Sequence, residues 1–167
     1  MSSVADPINA HLLGSSREAA YEGMSMIRPH DLQTGQVLYR FIDVTRCPGP
    51  RVGAEGPWWF EFEAFQQIKH FGLRNNYPLD YSARLHAAIL FEWSEVTGVV
   101  AAQLLQPLRA WKGRGKQIQT QGRDPRDLPT MTPMQGYHEV YQLFVPGIGA
   151  QGSLFPTAMQ FLEYISV

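Results

Sequence analysis

"GQVLYRF", residues 35–41, decides how this chain is to be read. Val37, Leu38, Tyr39 and Phe41 suit a pleated, half-buried surface. Thr34-Gly35 supplies a turn ahead of them, so the spacing predicts a strand over 36–44. Arg40 stands inside that apolar run. Three settings explain an arginine there: a solvated face, an ion pair with a carboxylate such as Asp43 or Glu139, or an anion such as a phosphate held beside the sheet.

Upstream of this strand, residues 1–14 read as a loose arm. "SSREAAYEGMSMI" reads as a helix that Pro29 ends, with Ser15 and Glu18 spaced as a capping box. Residues 1–28 are therefore expected as an arm and helix, and 29–167 as a single catalytic-type domain. Downstream, "RCPGPRVGAEG" (46–56) is a glycine- and proline-rich loop. In "PWWFEFEAFQQIKHFG", Phe62, Phe65, Ile68 and Phe71 recur at helical spacing, with Gly72 as the expected cap. "SARLHAAILFEWSEVTG" is a second helix, stopped by Gly98. Residues 99–111 are β-like with a break at Pro107. Residues 112–136 read as a long exposed loop with a short strand at 116–119, and 137–147 as a strand ended by Pro-Gly. "FPTAMQFLEYISV" fits strand or helix equally. This order lacks regular βαβ alternation and gives an α+β fold: a mostly antiparallel sheet with helices packed on it, its central strands at 36–44, 99–105 and 137–145.

At 167 residues the chain is most simply one domain, and 44 % hydrophobic residues suffice for a core. Fifteen glycines and twelve prolines argue against a helical bundle. A net charge of −1 gives no global case for nucleic acid or an anionic membrane. The single Cys47 excludes an intrachain disulfide. "MSSVADPINAHLLGSS" has no basic region and no apolar stretch of a secretory signal, and no apolar run is long enough to span a membrane. A cytoplasmic chain is expected, or one delivered to another cell without such a signal.

Phosphate-loop and dinucleotide fingerprints are absent, and "GRGK" (113–116) reads as a solvated basic turn. Five histidines without ligand spacing and one thiol leave no metal site to expect. Cys47 in its Pro-Gly loop lacks a helix N-terminus to activate it as a nucleophile. Two further stretches stand out. "GPWWF" (56–60) is either a packing corner or an apolar wall for a planar ring. In "HEVYQLFVP" (138–146), Gln142 is the lone amide in an apolar strand, read as an exposed edge face or as part of a site.

An arginine on an early strand, an aromatic segment leading into a helix and a polar residue before a late Pro resemble the ADP-ribosyltransferase fold. The nearer likeness is to the necrotising-toxin type of NAD glycohydrolases, whose "G-x-V-L-x-R-F" pattern "GQVLYRF" matches and whose late glutamine "YQLFVP" matches. The likeness covers three short pieces of the chain. It lacks the serine/threonine triplet, the glycine-rich run before the late glutamine and a two-glutamate doublet. It implies NAD as substrate, Arg40 on an NAD phosphate, Trp58 and Trp59 walling the nicotinamide, and Gln142 on the nicotinamide ribose. Glu139 lies on the opposite face of a regular strand and joins the site only through a bulge. The implied activity is cleavage of the nicotinamide–ribose bond by a toxin-like NAD glycohydrolase or ADP-ribosyltransferase, with a protein acceptor or a neutralising protein as partner. A neutral glutamine orients but cannot serve as a general base, which favours transfer to water. The competing reading is a non-enzymatic binding module with an exposed corner at Trp58, Trp59 and Phe60 and a basic loop at Lys112, Arg114 and Lys116.

Overall fold

The computed structural model describes residues 6–87, 94–116, 118–119, 130–131, 140–149 and 153–167. Its strands are β1 (Met24–Leu32), β2 (Val37–Ile42), β3 (Trp58–Glu61), β4 (Gly98–Leu104), β5 (Leu108–Gly115), β6 (Ile118–Gln119), β7 (Thr130–Met131), β8 (Tyr141–Phe144) and β9 (Met159–Ser166). Its helices are α1 (Arg17–Gly23), α2 (Pro50–Gly53), α3 (Phe62–Asn75), α4 (Leu79–Ala87) and α5 (Phe155–Ala158). Seven strands form one sheet in the order β1-β5-β8-β3-β2-β4-β9, with every pairing antiparallel. β6 and β7 pair separately. The fold is α+β, as the element order implies.

Register assigns the faces. Leu38 pairs with Glu61, Trp59 with Leu143, and Leu143 with Lys112. Continued by one step, β2 sets Arg40 in the row of Trp59 and Leu143. That inner face carries Leu38, Ile42, Trp59, Val100, Ala110 and Leu143, which pack together as the main core. The opposite face is covered twice. Phe60 packs with Ala64 and Ile68 of α3 and Ala83 of α4. Trp111, Phe144 and half-buried Trp58 pack with Leu13 and Ala20 from the N-terminal segment.

Several sequence expectations are corrected here. The helix expected up to Pro29 ends at Gly23, because 24–32 is an edge strand on β5. The boundary expected at residue 28 thus falls inside one continuous strand. Pro29 is tolerated because an edge strand has one side with no ladder bond to make. Ser15 does not cap α1; its hydroxyl donates to the Leu12 carbonyl. Residues 6–14 are not loose. Asn9 is fully buried; its amide donates to the Arg109 and Pro146 carbonyls at 2.8 and 3.0 Å and accepts from the Arg109 N–H at 2.8 Å.

"WWFE", the aromatic segment that leads into the helix, is a strand, central in the sheet between β8 and β2. The helix itself begins at Phe62, where the expected repeat begins. Gly72 is not the cap of α3 but a buried contact point. A Cβ there would press on the Tyr77 carbonyl at 3.0 Å and Ser82 Cβ at 3.2 Å, where α4 crosses. The helix stops at Asn76 in the left-handed region, φ 60°. The basic loop is not a loop at Lys112 and Arg114, which lie on β5. The ambiguous C-terminal segment resolves into α5 and then β9.

Candidate functional site

Arg40 is held by its own loop. Nε donates to the Gly53 carbonyl at 2.9 Å, and an Nη donates to the Trp58 carbonyl at 3.1 Å. The second Nη lies against Gly56 so closely that a Cβ at 56 would fall inside the guanidinium. Residue 56 must be glycine while Arg40 sits there. Among the described residues no carboxylate pairs with Arg40. Asp43, one candidate partner, is occupied by Thr45, the Glu95 N–H and Arg46. Burial pushes the Arg40 guanidinium down to about 10. A half-buried cation that lacks a counter-charge is costly, and an anion brought beside it removes part of that cost.

The guanidinium borders a cavity of about 520 Å³. Its walls come from three places: Leu12, Ser15 and Ser16 of the N-terminal segment; Glu55, Gly56 and Pro57 before β3; and Phe144 with the 146–149 turn after β8. Gly147 and Gly149 have φ of 90° and 143°, conformations that favour glycine and bring bare backbone to the wall. A second cavity of about 650 Å³, with Arg51, Phe155 and Gln160 among its lining residues, adjoins the other side of the same loop and shares Glu55.

The other expected site residues are placed differently. Trp59 is fully buried beneath the loop, with Nε1 donating to the Gly56 carbonyl at 2.7 Å. Trp58 packs edge-on against Phe144, ring centroids 5.0 Å apart, so Phe144 forms the aromatic wall and Trp58 stands behind it. Gln142 is buried and opposes Gly113 on β5. One residue before Leu143, it points to the face opposite Arg40. The structure does not bring the two together. Glu139 lies outside the described residues. Sequence reasoning missed Phe144, Gly56 and the 147–149 turn, although "VPGIG" was legible as a turn.

Gln142 Nε2 has no hydrogen-bond partner among the described residues. Gln142→Leu is expected to be neutral or to stabilise by about 1 kcal/mol, since a buried amide nitrogen without a partner among the described residues is replaced by an apolar group of similar size. Its urea midpoint should hold or rise and any NAD activity should persist. A folded variant without that activity would return Gln142 to the site.

A second polar cluster closes the far end of the inner face. Glu61 accepts hydrogen bonds from His30 at 3.1 Å, Lys112 at 2.7 Å and Gln36 at 2.7 Å. The His30 bond leads the lowering; burial opposes it, Lys112 and Gln36 add to it, and the carboxyl falls to about 2. A depressed carboxyl stabilises the fold above its unfolded value and loses that effect as pH falls through its folded value. The Glu61 contribution is therefore full above pH 4.5 and fades toward pH 2. Screened for partial exposure, it is about 1–3 kcal/mol. Glu61→Gln should narrow the stability difference between pH 6 and pH 2.5 by about that amount. An unchanged difference in urea titrations would refute the assignment.

The basic residues have structural neighbours as well. Lys112, Arg114 and Arg28 lie 5.5, 5.7 and 5.5 Å from the Tyr141 ring centroid, and Lys116 lies 3.6 Å from that of Tyr21. Cys47 is half-buried and directs its thiol to the Asp43 and Gly49 carbonyls, each at 3.4 Å. Among the described residues no three His, Cys, Asp or Glu side chains cluster to hold a metal, and no helix is long and apolar enough to cross a membrane.

No family model matches the chain, and no curated protein matches its sequence. Among solved structures it is similar to one described as "Rhs1-CT in complex with cognate immunity protein RhsI1". The likeness covers 98 % of both chains with a TM-score of 0.56 and 13 % sequence identity. The two chains share a fold.

Proposed function

We propose that this chain is a toxin-type effector domain that binds NAD at the Arg40 cavity and cleaves its nicotinamide–ribose bond. The single observation that carries the proposal is the Arg40 guanidinium, half-buried, fixed by two backbone carbonyls and unpaired with any described carboxylate, at the wall of a cavity of about 520 Å³. An arginine fork suits a pyrophosphate oxygen pair. The "GQVLYRF" likeness to necrotising-toxin NAD glycohydrolases supports the ligand, and the fold shared with Rhs1-CT supports the toxin class. By the same likeness the chain is delivered to another cell and is neutralised by a dedicated protein in the cell that makes it.

Bond cleavage sends the electron pair to nicotinamide, and water adds at the ribose carbon, giving ADP-ribose, nicotinamide and a proton. The positive charge that builds on the ribose needs a nearby carboxylate or dipoles. Gln142, on the far face, is not placed to supply them. Glu55 is the carboxylate that lines the cavity. The preference for water that rested on Gln142 therefore lapses, and transfer to a protein stands beside hydrolysis. The binding-module reading loses support, because Trp59 and Phe60 are buried, Lys112 pairs with Glu61, and Arg114 and Lys116 lie over the Tyr141 and Tyr21 rings.

The test is incubation of the purified chain with NAD, following nicotinamide release with and without acceptor proteins. Release without an acceptor identifies hydrolysis, and release only with one identifies transfer. Absence of both binding and consumption at millimolar NAD would overturn the proposal.

A further inference from the structure

Where β8 leaves β5, a side chain continues the ladder. Phe144 pairs with Trp111, so the same register carried two residues on would set Pro146 against Arg109. Proline has no N–H to give there. Asn9 fills the gap. Its Nδ2 donates to the Arg109 carbonyl at 2.8 Å and to the Pro146 carbonyl at 3.0 Å, and its Oδ1 accepts from the Arg109 N–H at 2.8 Å. Two carbonyls and one N–H fix which way the amide faces. Asn9 is fully buried and does not line the Arg40 cavity, but both segments that it joins do. Leu12, Ser15 and Ser16 follow it in the chain and form one wall. Pro146 opens the turn that forms another, through Gly149.

We propose that Asn9 is a positioning residue for the Arg40 cavity, holding the N-terminal wall and the 146–149 wall at the spacing its ligand needs. The proposal rests on the reading of that cavity as an NAD site. Asn9 touches no ligand and takes no part in bond cleavage, so its effect reaches NAD only through the two walls. Loss of binding that is equal in the ground state and the transition state raises KM and leaves kcat alone. Coupling between two sites is reciprocal: if the Asn9 tie favours the ligand, the bound ligand favours the tie. The Arg109 N–H reports the tie, because Asn9 is its partner and Arg109 itself lines no part of the cavity.

The test compares Asn9→Ala, which removes all three bonds, with Asn9→Asp, which keeps the acceptor but turns a carboxylate toward two carbonyls. Ser82→Ala is the control. It removes a buried hydroxyl that donates to the Ile68 carbonyl at 2.7 Å where α3 meets α4, so it costs stability away from both walls. Well below the unfolding transition, the Asn9 variants should raise the KM for NAD by about fivefold or more with kcat within about twofold, and Ser82→Ala should move neither. A second measurement needs only the wild type. Saturating ADP-ribose, which keeps the pyrophosphate and is not consumed, should slow hydrogen exchange at the Arg109 amide by about fivefold or more. Asn9 variants that lose stability but keep the wild-type KM would overturn the proposal, as would Arg109 exchange that ADP-ribose leaves unchanged. If neither Asn9 variant folds, the Arg109 amide decides. A wild type that neither binds nor consumes NAD overturns the NAD reading and this proposal together, whereas unchanged KM beside active wild type overturns this proposal alone.

Discussion

Replacing Arg40 by lysine is expected to give a folded protein whose affinity for NAD, or turnover of it, is lower by about tenfold or more. Lysine keeps the charge but loses the planar fork. Losing one charge-assisted bond to a phosphate removes about 1.5–3 kcal/mol. The structure adds a stability cost. The guanidinium donates to the Gly53 and Trp58 carbonyls, and a single ammonium at the end of a flexible stem does not reproduce both bonds together. A loss of about 1–3 kcal/mol follows, lowering Tm by about 3–10 °C. Binding must therefore be measured by calorimetry well below the transition, alongside nicotinamide release. A variant with the lowered Tm but full NAD activity would show that Arg40 only ties its loop to the sheet.

The parts of the fold legible in the sequence are those where one pattern admits one structure. β2 and β4 were readable because apolar β-formers run between turn signals. Of the helical repeat Phe62, Phe65, Ile68 and Phe71, Phe65 and Ile68 are buried in α3 beside Ala64 and Gly72, whereas Phe62 is exposed and Phe71 half-buried. β3 was hidden because its aromatics extend that same period backward, and a four-residue apolar strand cannot be told from a helical turn by spacing. β1 was hidden because Ser15, Glu18 and Pro29 imitate the ends of a helix, while its partner β5 is far off in sequence.

The site divides along the same line. Arg40 was conspicuous as a charge among apolar residues, but its partners are backbone carbonyls 13 and 18 residues away, which carry no side-chain signal. The face of Gln142 depended on register. Alternation shows that Gln142 and Leu143 point oppositely, but not which of them shares Arg40's face. That follows from Leu38 pairing with Glu61 and Trp59 with Leu143. A slip of one residue in either pairing would have put Gln142 beside Arg40.

Trp59→Ala is expected to cost about 3–5 kcal/mol, the usual range for deleting a fully buried tryptophan. The larger question is what Trp59 does for the cavity, and Trp59→Phe separates the two roles. Phenylalanine keeps most of the apolar contact with Leu38, Leu143 and Val145 in the main core. It loses the indole N–H that donates to the Gly56 carbonyl at 2.7 Å. That carbonyl belongs to the residue whose bare Cα backs the Arg40 guanidinium. Freed, the loop loses its tie to the core, and Arg40 loses the surface that fixes its orientation. The phenylalanine variant should therefore show a urea midpoint lowered by the equivalent of about 1–3 kcal/mol at unchanged slope. Its NAD affinity should fall although Trp59 does not line the cavity. If stability falls and NAD affinity does not, the 53–58 loop keeps its shape without the indole bond, and Trp59 serves the core alone.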